Sequence, residues 1–379
     1  MMNALNIDVL KSKLPQAGLN DAGLAAKLGV SREAVSKWLS GESMPKPDKL
    51  LKIGMLLGLP FDQLIVRPLV IAEPQVCYRQ KSGRSTEDEH IREAKEIGNL
   101  LKQLVGYLPS PNLTMPPVLE KPRLDYDYIE RVVLSVREEM KCTPNDKIKY
   151  SNLIGLFGKF RVILVPVFWG DKKQHGNALH IYLPDSKTTW VFLNLDSNII
   201  DFNFWMAHEL GHALSPSLGR EEGEDFAEAF AQALLFPKDC AMALHRKLAS
   251  FKTVSARVAS ILAVAREKNI SPFTVHRALK AYEANTPGEN SVDIGTEKGT
   301  MVLVSQLKKE LPTVSAQIFK TPRIEPQDYI NKTATLFQTE FFSSLRRFIQ
   351  SGNGDAEYIH RVMDIPIVDA KAFEEALRK

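Results

Sequence analysis

The sequence predicts a multidomain chain, with an all-α N-terminal domain, an α+β domain after it and a C-terminal accessory region. Three observations carry this. Residues 5–67 repeat apolar side chains at helical spacing around one small core. Residues 123–285 mix helical segments with short runs rich in β-branched and aromatic residues. Between them, residues 68–122 turn polar and then proline-rich, the composition of a linker. A chain of 379 residues has room for two or three domains.

Composition narrows the function classes. Apolar residues make up 44% and charged residues 25%, as in ordinary globular proteins. No apolar run approaches the ~20 residues that span a bilayer. The opening MMNALNIDVLKSKL lacks the apolar core of a signal peptide, so a cytoplasmic protein with no membrane partner is expected. The cysteines, Cys77, Cys142 and Cys240, lie far apart without CxxC spacing, which argues against a disulfide framework or a cysteine zinc site. A net charge of +4 does not by itself point to nucleic acid, so any DNA contact must come from a local surface.

In the first domain, NIDVLKSKL reads as an amphipathic helix. The next runs over 20–30 with Asn20 or Asp21 as N-cap and Gly29 at the turn. A third spans 31–41, capped by Ser31 and ended by Gly41, a fourth 46–58, and a short fifth 60–66. Their core is Leu24, Ala25, Leu28, Val30, Val35, Trp38, Leu50, Leu51, Ile53, Leu56 and Leu64. The linker region 68–122 holds an amphipathic helix over 90–108, suited either to pairing two subunits or to packing within the chain. A proline-rich connector follows, with Pro109, Pro111, Pro116, Pro117 and Pro122. The third region, 123–285, opens with the helix DYDYIERVVLSVREEM. Strands follow over 160–168, 178–183 and 188–195, with Pro166 marking an edge or bulge. The helices DFNFWMAHELGHAL and GEDFAEAFAQALLFP are stopped by Pro216 and Pro237. A Gly/Asn-rich break leads into the accessory region, 286–379.

Two of these helices carry chemistry. His208 and His212 sit four residues apart, hence on one helical face. Two imidazoles there can hold one Zn²⁺, and Glu209 between them is placed as the base for a water whose pKa the ion lowers toward ~7. The flanking Met206, Ala207, Leu210, Ala213 and Leu214 mark the helix as buried, where two unpartnered histidines would be costly. A third ligand is required, and the next helix offers Glu221, Glu222, Glu224, Asp225 and Glu228. Acids in a first helical turn answer the helix dipole, which accounts for Glu221 and Glu222. Glu228 lies inside an apolar run and needs a partner. We read Glu224 as the third ligand and Glu228 as the acceptor that orients one ligand histidine. Zn²⁺ suits a His₂Glu set, though Mn²⁺ or Fe²⁺ also fits.

HELGHAL followed by EDFAEAFAQALLFP resembles the ImmA/IrrE group of zinc metallopeptidases over about 125–240. The resemblance implies a zincin-like domain with zinc on His208, His212 and Glu224 and the general base at Glu209. Glu228 stands where the family has Asp or Asn, and FNFWMAHE departs from the family's usual lead-in. The stretch LAAKLGVSREAVSKWLSGESMPKPDKLLKIGMLLGLPFDQL is similar to Xre, lambda-repressor-like helix-turn-helix domains. That likeness implies that the third helix enters the major groove with Ser31, Arg32, Glu33, Ser36 and Lys37, while Lys46 and Lys49 lie near the phosphates. Palindromic operators are read by dimers, so a homodimer is a form to expect on DNA.

Together the resemblances imply a regulator that binds an operator in double-stranded DNA. Its zinc endopeptidase would cleave a protein substrate, a repressor, in stress or mobile-element control. Two other readings stay open on the sequence. One is a non-enzymatic, antitoxin-like DNA-binding regulator whose metal site is structural or vestigial. The other is self-cleavage in the 108–122 connector, since exposed connectors are where chains are cut.

Overall fold

The computed structural model describes residues 4–59, 64–66, 72–77, 87–109, 118–169, 178–288, 290–319 and 324–379. Its contacts divide the chain into two compact units, Met1–Ala72 and Glu73–Lys379.

The first unit is helical, with α1 (Ile7–Gln16), α2 (Asp21–Leu28), α3 (Arg32–Leu39) and α4 (Pro47–Leu57). Local chemistry sets the boundaries. The Asn20 side chain caps α2 by accepting from the Gly23 N–H, and Ser31 caps α3 through the Ala34 N–H. α2 and α4 end on Gly29 and Gly58, both in the left-handed region that glycine enters freely. Strands β1 (Ala4–Leu5) and β2 (Ile65–Val66) pair antiparallel and close the unit on itself. Ile65 and Val66 therefore extend rather than continue the helix expected over 60–66, whose residues 60–63 lie outside the described residues. The core contains most of the expected side chains, Leu24, Ala25, Leu28, Val35, Trp38, Leu50, Ile53 and Leu64 among them. Leu51 is the exception at 55% exposed. On α4 the inward stripe runs through Leu50, Ile53 and Gly54, which turns Leu51 and Met55 to the opposite face.

The second unit is built on a four-stranded sheet in the order β3–β5–β6–β4. β3 (Gln75–Cys77) and β5 (Ala178–Leu183) are antiparallel, as are β5 and β6 (Thr188–Asn194). β4 (Val162–Val167) runs parallel to β6 at the edge, where Pro166 removes no ladder donor. The helices are α5 (Glu87–Val105), α6 (Tyr126–Glu139), α7 (Tyr150–Lys159), α8 (Ile199–Leu214), α9 (Arg220–Leu235), α10 (Lys238–Ala249), α11 (Val254–Lys268) and α12 (Pro272–Asn285). The C-terminal set is α13 (Glu297–Glu310), α14 (Val314–Ile318), α15 (Pro326–Phe337), α16 (Phe341–Gln350), α17 (Ala356–Met363) and α18 (Ile367–Arg378).

Two boundaries read from composition differ here. Residues 68–122 are not a free linker, since β3 joins the sheet and α5 lays Ala94, Ile97, Leu101 and Leu104 into its core. The amphipathic stripe of α5 thus packs within the chain. Of the proline-rich connector, 110–117 lie outside the described residues, and the chain is anchored again where the Leu119 N–H bonds Leu214 O at the end of α8. Residues 286–379 are likewise part of the unit. The Tyr329 hydroxyl donates to Pro166 O at 2.7 Å and Thr339 Oγ1 to Leu164 O, so this region covers the open edge of β4. The break in composition falls between α12 and α13, and hydrophobic burial joins the two sides into one core.

Two buried charged side chains brace the helices behind the sheet. Arg137 on α6 donates to the carbonyls of Thr143, Pro144 and Asp146 and to Leu234 O at the end of α9. Glu130, also on α6, accepts the Lys238 N–H at 3.0 Å, and burial raises its carboxyl to about 7. Between about pH 4.5 and 7 the folded chain holds a proton there that the unfolded chain has released. Stability from this group is therefore present below that window and lost as pH rises through it. Glu130→Gln keeps the acceptor and removes the ionisation. Its melting temperature relative to wild type should climb from pH 5 to pH 8, and a difference flat in pH would refute the assignment.

Candidate metal centre

α8 begins at Asn198, whose side chain accepts the Ile200 N–H and donates to the Lys308 and Leu311 carbonyls. The helix runs through the unit almost wholly buried. His208, Glu209 and His212 are 2%, 5% and 6% exposed. α9 lies against it, and Gly211 makes the close approach possible. A Cβ at that position would lie 2.8 Å from Ala227 Cα and 3.2 Å from both Ala227 Cβ and Phe230 Cδ1. This contact brings the α9 carboxylate within reach of both histidines.

The three expected ligands converge. His208 Nε2 and His212 Nε2 are 3.1 Å apart. Glu224 Oε2 is 3.4 Å from the first and Glu224 Oε1 is 3.3 Å from the second. Ligands about 2.0–2.1 Å from one tetrahedral ion stand roughly 3.3 Å from one another, so the spacing fits Zn²⁺. Among the described residues this is the one His/Cys/Asp/Glu group with a metal-binding arrangement. Three acceptor atoms this close repel unless a proton or cation lies among them. The Glu224 carboxyl is held well below its ordinary range, because the bonds and charges of His208 and His212 outweigh the opposing effect of burial. Glu221, Glu222 and Asp225 are exposed and take no part.

Glu209 stands apart from the ligand atoms. Its Oε2 is 3.1 Å from Nδ1 of His180, a buried residue on β5. Burial alone would raise the Glu209 carboxyl, yet the His180 hydrogen bond and the neighbouring imidazoles bring it below the ordinary value. Burial lowers His180, against the pull of Glu209. The pair therefore rests as a neutral imidazole donating from Nδ1 to a carboxylate. The His180 ring also meets that of His212 edge-on at 5.6 Å. His180 is one of three histidines, with His245 and His276, that the sequence offers as oxyanion stabilisers without singling one out. Its signal was a histidine in the strand ALHIYL, which burial obliges to find a partner. His245, 3.3 Å from Glu283, and His276, bonded to Gly295 O, lie outside the cluster.

Glu228 comes near the expected place without closing a hydrogen bond. Its Oε2 is 3.9 Å from His208 Nδ1, while Oε1 accepts from Arg277 on α12 at 2.9 Å. Arg277 is a residue the sequence did not disclose. The Cys240 thiol is committed to Pro144 O and Asn145 Oδ1, away from the ligands. Phe204 and Trp205, both half-buried, flank His208, with the Trp205 ring 5.4 Å from the imidazole.

In the first unit, Ser31, Arg32, Glu33, Ser36 and Lys37 are all exposed at the start and along one side of α3. The Ser31 hydroxyl is engaged as the cap. Lys37 pairs with Glu33 at 3.2 Å in solvent, a contact that costs little to break. Lys49 donates to Leu28 O at 2.8 Å and so fastens α4 to the end of α2. Lys46 is exposed.

Residues 10–64 match the helix-turn-helix family model, HTH_3. The N-terminal unit is thus a helix-turn-helix domain, with α2 and α3 as the motif. No curated protein and no solved structure matches the chain. Among the described residues, no helix is long and apolar enough to cross a membrane.

Proposed function

We propose that this chain is a DNA-binding regulator that carries a zinc-dependent endopeptidase site. The observation that carries the enzymatic half is the convergence of His208, His212 and Glu224 within 3.4 Å, with the Glu209 carboxylate beside them and outside the ligand set. A purely structural site has no use for that fourth group.

His208, His212 and Glu224 would hold the ion. When bound, Zn²⁺ supplies a Lewis acid and lowers the pKa of water toward neutrality. Glu209 takes the proton of the attacking water as general base and returns it to the leaving amine nitrogen as the C–N bond breaks. His180 holds the Glu209 carboxylate in place through Nδ1. Glu228, itself fixed by Arg277, lies on the Nδ1 side of His208 and limits the ring's rotation. Glu224 is the most open of the ligands, its side chain 23% exposed, which supports solvent access to the site from its side. The likeness to ImmA/IrrE peptidases points to a repressor protein as substrate.

The deciding measurement is metal content by mass spectrometry, on protein purified without a chelating tag. About one zinc per wild-type chain, lost in His212→Ala, is the expected result. A well-folded wild type without metal would sink the peptidase half.

The DNA-binding half rests on α3. Arg32 is the exposed cation at its N-terminal end, where major-groove readers contact bases. Arg32→Ala should weaken binding to the chain's selected operator by about 1–3 kcal/mol and flatten its sequence preference. Titrations against selected and scrambled duplexes at fixed salt check this. An equal loss on both would make Arg32 a phosphate contact.

A further inference from the structure

We propose that β3 is a resident strand, seated on the edge of β5 where the peptidase site takes an extended polypeptide, so that the chain itself holds the site closed. This rests on the peptidase reading above and adds the mode of substrate entry and its control. β5 is the strand that touches the site, because His180 meets Glu209 at 3.1 Å and the His212 ring at 5.6 Å. One side of β5 is taken by β6, and the other pairs with β3 in the register Gln75↔Tyr182, Val76↔Ile181 and Cys77↔His180. A polypeptide laid on that second edge runs past the His180–Glu209 contact. Its backbone pairing gives affinity without demanding a sequence. The chain's own residues already occupy this place, and Cys77 stands opposite His180 itself.

β3 is built to be held and to be released. Three residues make few ladder bonds, so pairing alone does not secure the strand. A clip on α5 does. Pro74 is buried against Gly98, where a Cβ would fall 2.5 Å from the proline ring and 3.2 Å from Ile181 Cγ2. Beside it, Lys95 pairs with Glu73 at 2.5 Å in solvent. β3 is also the first element after the boundary at Ala72, so it is the segment through which the DNA-binding unit is tethered.

The test uses the full chain and a fluorescein-labelled peptide of residues 72–80, with serine in place of its cysteine. Polarisation should show the unclipped variant Glu73→Lys/Pro74→Gly binding this peptide at least about tenfold more tightly than wild type. Val76→Pro, which weakens the strand itself, should act in the same direction. Equal binding by wild type and both variants, or no binding by folded variants, overturns the proposal. Should both variants unfold, hydrogen exchange on the wild type decides. Amides of 75–77 opening ahead of those in β6 support a releasable strand, and opening only together with β6 overturns it. Backbone pairing needs no ion, so zinc content is measured on the same samples. Peptide binding without zinc would sink the peptidase reading while upholding the edge, and zinc without peptide binding would do the reverse.

Discussion

Glu209→Gln is expected to keep the zinc stoichiometry of wild type while lowering peptide hydrolysis by about 10²–10⁴-fold, the range that a positioned general base contributes. The two effects separate because Glu209 supplies none of the three converging ligand atoms. Glutamine is nearly isosteric, which matters in a site where the residue is 5% exposed. Its side-chain oxygen can still accept from His180 Nδ1, so the bond across to β5 is kept. What it cannot do is take a proton from water. The loss should therefore fall in kcat, with KM little changed. Single-turnover cleavage of a bound protein substrate, with zinc measured on the same samples, checks this. Full activity in the glutamine variant would remove Glu209 from the chemistry and leave the cluster a structural metal site.

The convergence of His208, His212 and Glu224 was legible because a helix converts spacing into geometry. His208 and His212 are four apart, and Glu224 opens a second helix whose apolar run forces it against the first. His180 and Arg277 were not legible in the same way. They reach the site across the fold, 29 residues from Glu209 and 49 residues from Glu228. No local period reports on contacts of that kind. The helix-turn-helix core could be read because its caps and apolar positions are local, and Leu51 failed because it lies on the side of α4 away from the inward stripe of Leu50, Ile53 and Gly54. Composition misled at 68–122 and 286–379 for a different reason. Polar or proline-rich stretches flag where the chain turns, while domain limits depend on where apolar surface is buried. Ala94, Ile97 and Leu101 on one side and Tyr329, Phe341 and Leu345 on the other are buried in one core with the sheet.

Gly211→Ala tests whether the close approach of α8 and α9 builds the site. Two effects oppose each other. Alanine in a helix interior gains about 0.5–1 kcal/mol over glycine. Against this, the new methyl would sit 2.8 Å from Ala227 Cα, and backbone cannot swing aside as a side chain can. Overpacking of this kind costs about 1–3 kcal/mol, so the net change should be destabilising by roughly 1–2 kcal/mol. The more telling consequence concerns the ion. Relief of the clash moves α9 away from α8 and carries Glu224 with it, while His208 and His212 stay paired on their own helix. Zinc affinity should fall by at least about tenfold, since ligand geometry governs it. Gly155 on α7 supplies the control, being exposed with no atom within 4 Å of an added Cβ. Gly155→Ala should be neutral or stabilising and should leave zinc affinity at the wild-type value. If Gly211→Ala behaves like Gly155→Ala in both respects, the two helices have slack at this point. The short distances from Glu224 to the histidines would then owe nothing to the glycine.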